Sequence, residues 1–80
     1  MKNFTTTFSG NASDLINKAK NAAENAGAYF NGDEHGGEFS GKGVKGYYRV
    51  NGNSVEITIT DKPFYAPWAM VESTIRSFFN

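Results

Sequence analysis

The sequence predicts an α+β fold, a two-layer sandwich in the order β-α-β-β-β-α with two helices on one face of a mostly antiparallel four-stranded sheet. Three observations predict it. Residues 36–61 alternate apolar and polar around two glycine-bearing turns, as consecutive hairpins do. Residues 12–26 repeat small apolar residues at helical spacing. Residues 64–79 place large aromatic and aliphatic residues at the same spacing. One-sided strands and one-sided helices bury their apolar faces together when stacked as two layers.

In the hairpin region, Asn51-Gly52 stands between two alternating runs and predicts a two-residue type I′ turn. That turn sets Val50 opposite Asn53, Tyr48 opposite Val55 and Gly46 opposite Ile57. Val44, Tyr48, Val50, Val55, Ile57 and Ile59 then share the buried face. Lys45, Tyr47, Arg49, Glu56, Thr58 and Thr60 share the open one, with Glu38 and Glu56 flanking Tyr47. A second turn at Lys42-Gly43 sets Gly41 opposite Val44 and lays Phe39 over the bare Gly46.

Ahead of the hairpins, Phe4 to Phe8 alternates aromatic and threonine and reads as a short strand. Its place in the sheet is open at this level. Asn11 is a helix N-cap, with Asp14 in the first turn where a carboxylate suits the helix dipole. Ala12, Leu15, Ile16, Ala19, Ala22, Ala23 and Ala26 form the buried stripe, and Gly27 ends the helix. A stripe made mostly of alanine lets a helix approach a sheet closely. Ala28 to Asn31 reads as a lead-in strand, continuous with Glu38 to Ser40 through a bend. Pro67 marks the start of the second helix. Phe64, Trp68, Val71, Ile75 and Phe78 make its stripe, with Phe79 a further candidate for it and Trp68 expected to be the largest single burial. Tyr29, Tyr65 and Met70 are expected off the core stripes, and for Phe79 both places stay open.

Eighty residues predict one domain, 1–80, near the size at which a core must stand without staples. With no cysteine, disulfides and thiol chemistry are out. Eight basic residues balance eight acidic ones, which gives no global field for nucleic acid or anionic membrane. The first residues hold no long apolar run, so no membrane span and a cytoplasmic location are expected. Neutrality and sheet edges together predict self-association as a homodimer.

Three stretches look like functional motifs. Gly41-Lys42-Gly43-Val44-Lys45-Gly46 has the spacing G-x-G-x-x-G, but a strand follows it rather than a helix, so these are turn and packing glycines. Asp33, Glu34, His35 and Glu38 lack the ligand spacing of a zinc or calcium site, and no metal or other cofactor is expected. Asp33 and His35 are the only bets for acid-base catalysis there. Lys45-Gly46-Tyr47-Tyr48-Arg49-Val50 partly echoes an RNA-recognition strand, and Lys45, Tyr47 and Arg49 are the candidate interaction surface on the open face.

With these motifs placed, the chain resembles the small bacterial family labelled polyhydroxyalkanoic acid system proteins. The likeness lies in the alanine-rich first helix and in Phe30-Asn31-Gly32-Asp33. It continues through Phe39, Gly43-Val44, Gly46 and Val50, and ends with a proline-bearing bend and a helix containing Val71-Glu72 and Ile75. Tyr29-Phe30 stands where such proteins often carry tryptophan, and asparagines replace an Arg/Glu pattern in the first helix. The resemblance implies a bacterial source and an association with storage granules, and it carries no catalytic residues. The expected function is therefore a non-enzymatic domain acting through binding or self-association. Weak single-stranded nucleic-acid binding on the open sheet face is the alternative, and a small enzyme using Asp33 and His35 is the third reading.

Overall fold

The computed structural model describes residues 2–79. In chain order the elements are β1 (Lys2–Thr7), α1 (Ala12–Asn25), β2 (Tyr29–Gly32), β3 (Gly36–Gly41), β4 (Val44–Asn51), β5 (Ser54–Asp61) and α2 (Trp68–Phe78). The fold is α+β, with the strands in one antiparallel sheet of order β1-β5-β4-β3-β2. Both helices contribute to a single core on one face of the sheet.

The sheet has five strands rather than four. The lead-in strand does not bend into the next one; it reverses. The Asp33 carboxylate accepts hydrogen bonds from the backbone N–H of His35 at 2.8 Å and of Gly36 at 3.2 Å, and the Asp33 N–H donates to the Gly36 carbonyl. A short acidic side chain that binds the amides two and three residues on closes a tight turn. β2 and β3 therefore pair as a hairpin, with Phe30 opposite Phe39.

The Asn51-Gly52 register needs a correction. Val50 pairs with Val55, Tyr48 with Ile57 and Gly46 with Ile59. The loop is Gly52-Asn53, and only Gly52 has a positive φ, at +63°. A positive φ at the first loop position alone is the requirement of a type II′ turn, not of type I′. The observed pairing sets valine against valine, where the expected one set Val50 against Asn53. It also spares Asn51 a left-handed backbone. At the other turn, Lys42 at φ +54° and Gly43 at φ +83° are both left-handed, and Gly41 faces Val44 as expected.

Because the two registers differ by two residues, the faces are unchanged. Val55, Ile57, Ile59 and Tyr48 are buried on the inner face, while Lys45, Tyr47, Arg49 and Glu56 are exposed on the other. Thr58 is an exception on the outer face, buried between its neighbours. β1 docks on the free edge of β5, with Phe4 opposite Ile57 and Thr6 opposite Val55.

In α1 the Asn11 side chain accepts from the Asp14 N–H at 2.8 Å, and Gly27 follows the helix at φ +75°. Leu15, Ile16, Ala19 and Ala23 are buried, whereas Ala26 is exposed. In α2 the core residues are Val71 and Ile75, extended by Phe79 just past the helix. Two expectations fail here, for Trp68 and for Phe64. Trp68 is only half-buried, with the Lys62 ammonium 5.2 Å from its ring centroid. Phe79, which the sequence leaves open between stripe and surface, is 1% exposed and heads the fully buried side chains by volume. It stands four residues beyond Ile75, so it continues the row of Val71 and Ile75. Phe64 lies before Pro67 in irregular chain, where helical spacing has no force, and it is 94% exposed.

Tyr48 ties the two ends of the core together. Its ring stacks on Phe30 with centroids 5.4 Å apart and meets Phe79 at 5.6 Å. Its hydroxyl crosses the bare strand positions Gly37 and Gly32 and donates to the Asp33 carbonyl at 2.7 Å. Burial, with a smaller push from the Asp33 charge, raises the Tyr48 phenol from 10.0 to about 12. The fold thus favours the neutral phenol. Its stabilising effect is complete below pH 10 and is lost as pH rises toward 12. In alkaline urea titrations the unfolding midpoint should fall across that window. Tyr48→Phe should flatten the fall, at a cost of about 1 kcal/mol at neutral pH for the lost hydrogen bond.

Candidate apolar binding cleft

Lys45, Tyr47 and Arg49 stand exposed on the outer face of β4, as the sequence places them. Each faces an acidic residue across the ladder: Lys45 pairs with Asp61, Tyr47 with Glu38 and Arg49 with Glu56. With the corrected register, Thr58 rather than Glu56 is the second neighbour of Tyr47. A nucleic-acid backbone laid along this strand would meet a carboxylate beside every candidate contact. A depression on this face is shallow, about 290 Å³, and Tyr29 beside it donates its hydroxyl to Glu38 at 3.3 Å.

The Asp33–His35 loop is a turn before it is anything else. The Asp33 oxygen that could act as a base accepts two backbone amides, and those bonds hold its carboxyl below the ordinary value of 3.8. His35 lies 3.8 Å from Glu34, with both side chains in solvent. The Tyr48 hydroxyl does reach Asp33 from elsewhere in the fold, but at its main-chain carbonyl rather than its carboxylate. Among the described residues, no cluster of three His, Cys, Asp or Glu could hold a metal ion.

A third region is larger and of different chemistry. Between the C-terminal half of α1, the length of α2 and the ends of β2 to β4 lies a cleft of about 360 Å³. Its origin is visible in the sequence of α1. Beyond Ile16 the helix offers the sheet only alanines, and methyl groups cannot span the distance to α2. Ala23, Ala26 and Ala28 form one wall, and Val71, Thr74 and Phe78 the other. Phe30, Phe39 and Phe79 lie at the base. One end is closed by the β3–β4 turn, which leans on Pro63 so closely that a Cβ on Gly43 would sit 2.9 Å from the proline ring.

The rim is as telling as the floor. The described chain has five large apolar side chains that are mostly exposed: Tyr29, Tyr47, Phe64, Tyr65 and Met70. Two of them, Tyr65 and Met70, line this cleft on the helix side of the sheet, whereas Tyr29 touches its edge but pairs with Ser40 on the outer face, where its hydroxyl bonds Glu38. Apolar residues scattered singly over a surface are ordinary, but several converging on one concavity mark a binding site. Sequence reasoning recognised Tyr65 and Met70 as off-core and could not place them together, since one lies in the 62–67 segment and the other in α2. Comparison of the chain with protein-family models, curated proteins and solved structures returns no match.

Proposed function

We propose that this chain is a non-enzymatic binding domain whose recognition site is the apolar cleft beside α2. The meeting of the exposed Tyr65 and Met70 on a cleft of about 360 Å³ floored by phenylalanines carries the reading. The volume lies in the range of small-molecule sites, roughly 300–1,000 Å³, and such sites are mostly apolar. No helix among the described residues is long and apolar enough to cross a membrane. On the sequence reading its setting is the bacterial cytoplasm, and an apolar site suits the granule surface implied by the family resemblance.

The homodimer remains the second reading. It is favoured by the two outer strands, β1 and β2, whose outward backbone groups have no strand partner in the sheet.

A neutral fluorescent probe, N-phenyl-1-naphthylamine, tests the cleft directly. The wild-type chain should enhance its emission saturably. Thr74→Phe fills the cleft from the exposed side of α2, and Ala26→Phe fills it from the opposite wall. Either variant should abolish the enhancement while keeping the wild-type circular dichroism. Enhancement that survives both substitutions, or that never appears, would sink the reading. Sedimentation of the same samples at micromolar concentration separates monomer from twice the 8.8 kDa mass.

A further inference from the structure

Resting on the cleft being a binding site, we propose that its ligand is a small apolar monocarboxylate, its hydrocarbon body in the cleft and its carboxylate at Lys42. Size sets the body. An apolar cavity of ~150 Å³ accommodates benzene, so 360 Å³ suits roughly ten to twelve carbons.

Polarity sets its decoration, which is almost none. The Thr74 hydroxyl is already donated to the Met70 carbonyl at 2.9 Å, and the Tyr29 hydroxyl to Glu38. A ligand with hydroxyl or amide groups along its body would leave them unpaired against alanine and phenylalanine, which is costly.

Charge sets the head group. Among the described residues, Lys42 is the only one with a formal charge that lines the cleft. It sits in the left-handed turn braced on Pro63, so the main chain that carries it is held in place. Among the described residues no ion pair engages it. The nearby Lys62 is occupied by the Pro63 carbonyl at 3.2 Å and by the Trp68 ring. A single ammonium without an arginine fork suits one negative charge better than a phosphate dianion. With zero net charge on the whole chain, the attraction is local to this end of the cleft.

The test is displacement of N-phenyl-1-naphthylamine from the full chain by straight-chain carboxylates of rising length, with decanol as the uncharged control. All are used below their micellar concentrations. Each added methylene should tighten binding about fourfold until the cleft is full, the equivalent of ~0.8 kcal/mol. Decanoate should outcompete decanol, and Lys42→Gln should weaken decanoate about threefold, within the range of exposed ion pairs, while leaving decanol unchanged. Equal affinities for decanoate and decanol, or a Lys42→Gln variant indistinguishable from wild type, would overturn the carboxylate assignment while the cleft itself stands. Failure of every acid to displace a bound probe would overturn the ligand class. A wild-type dimer that Thr74→Phe converts to monomer would make a second copy the occupant and would equally overturn it.

Discussion

Phe79→Ala should leave little folded protein at ambient temperature. The side chain is 1% exposed and closes an aromatic cluster, 5.6 Å from Tyr48 and 6.4 Å from Phe30 between centroids. Truncating a buried phenylalanine to alanine costs about 3–5 kcal/mol. At ~0.05–0.15 kcal/mol per residue, a chain of this length has a total stability of about 4–12 kcal/mol. The loss is therefore a large fraction of the whole. Urea unfolding followed by far-ultraviolet circular dichroism should show the folded baseline shortened or gone. A cooperative transition moved by only a few tenths molar would mean that the end of α2 is dispensable. Trp68→Ala, half-buried at the other end of the helix, should cost less than half as much. The ranking of the two variants is the reverse of what the sequence expectation about Trp68 implies.

Gly37→Ala should be nearly as damaging, although it adds a single methyl group. A Cβ there would collide with the Asn31 carbonyl oxygen and the Gly32 Cα across the ladder, and would come within 2.9 Å of the Tyr48 ring. Two of those three contacts are main chain, which cannot swing away as the tip of a side chain can. Relief requires β2 to part from β3 or Tyr48 to leave its slot, and either move frees the Asp33 carbonyl from its hydrogen bond. A cost of about 3 kcal/mol, at the upper end of overpacking, is expected. Glu38→Ala, one residue on and facing solvent, is the control and should change stability by no more than ~0.5 kcal/mol. Similar unfolding midpoints for the two variants would show that the ladder yields more easily than its geometry implies.

Much of this architecture is legible in the residues, and the misses have physical causes. Local signals read true: the Asn11 cap, the Gly27 stop, the Lys42-Gly43 turn and the division of β4 and β5 into two faces. Face alternation has a period of two, so it rejects a one-residue slip and is blind to a two-residue slip. The Gly52 loop fell into that blind spot. What decided it was valine meeting valine and the ease of one left-handed residue over two. The Asp33 turn was concealed because its stabilising bonds run from a side chain to the backbone, in a stretch rich in charge and glycine. The position of β1 is set by a partner strand far along the chain, which no local pattern encodes. Lys45, Tyr47 and Arg49 are exposed as read, but their acidic opposites depend on register. The cleft was invisible for a simpler reason. It is defined by space that alanines fail to fill, and its lining comes from segments on both sides of the hairpin region.

The docking of β1 on β5 also bears on how the chain behaves while it is being made. β2 to β5 pair in sequence, each strand with the one just synthesised, so the meander can assemble as it appears. The first strand has no such neighbour. Thr7 pairs with Ser54 and Lys2 with Ile59, so its partner emerges only after on the order of fifty further residues. At roughly 5–20 residues per second, that is several seconds during which a threonine- and phenylalanine-rich segment waits unpaired. The β5 edge thus stays open longest, and until its own first strand docks it is also open to the same strand of a neighbouring nascent chain. Dense translation of one message, rather than any property of the finished fold, is then the condition under which copies would exchange their first strands.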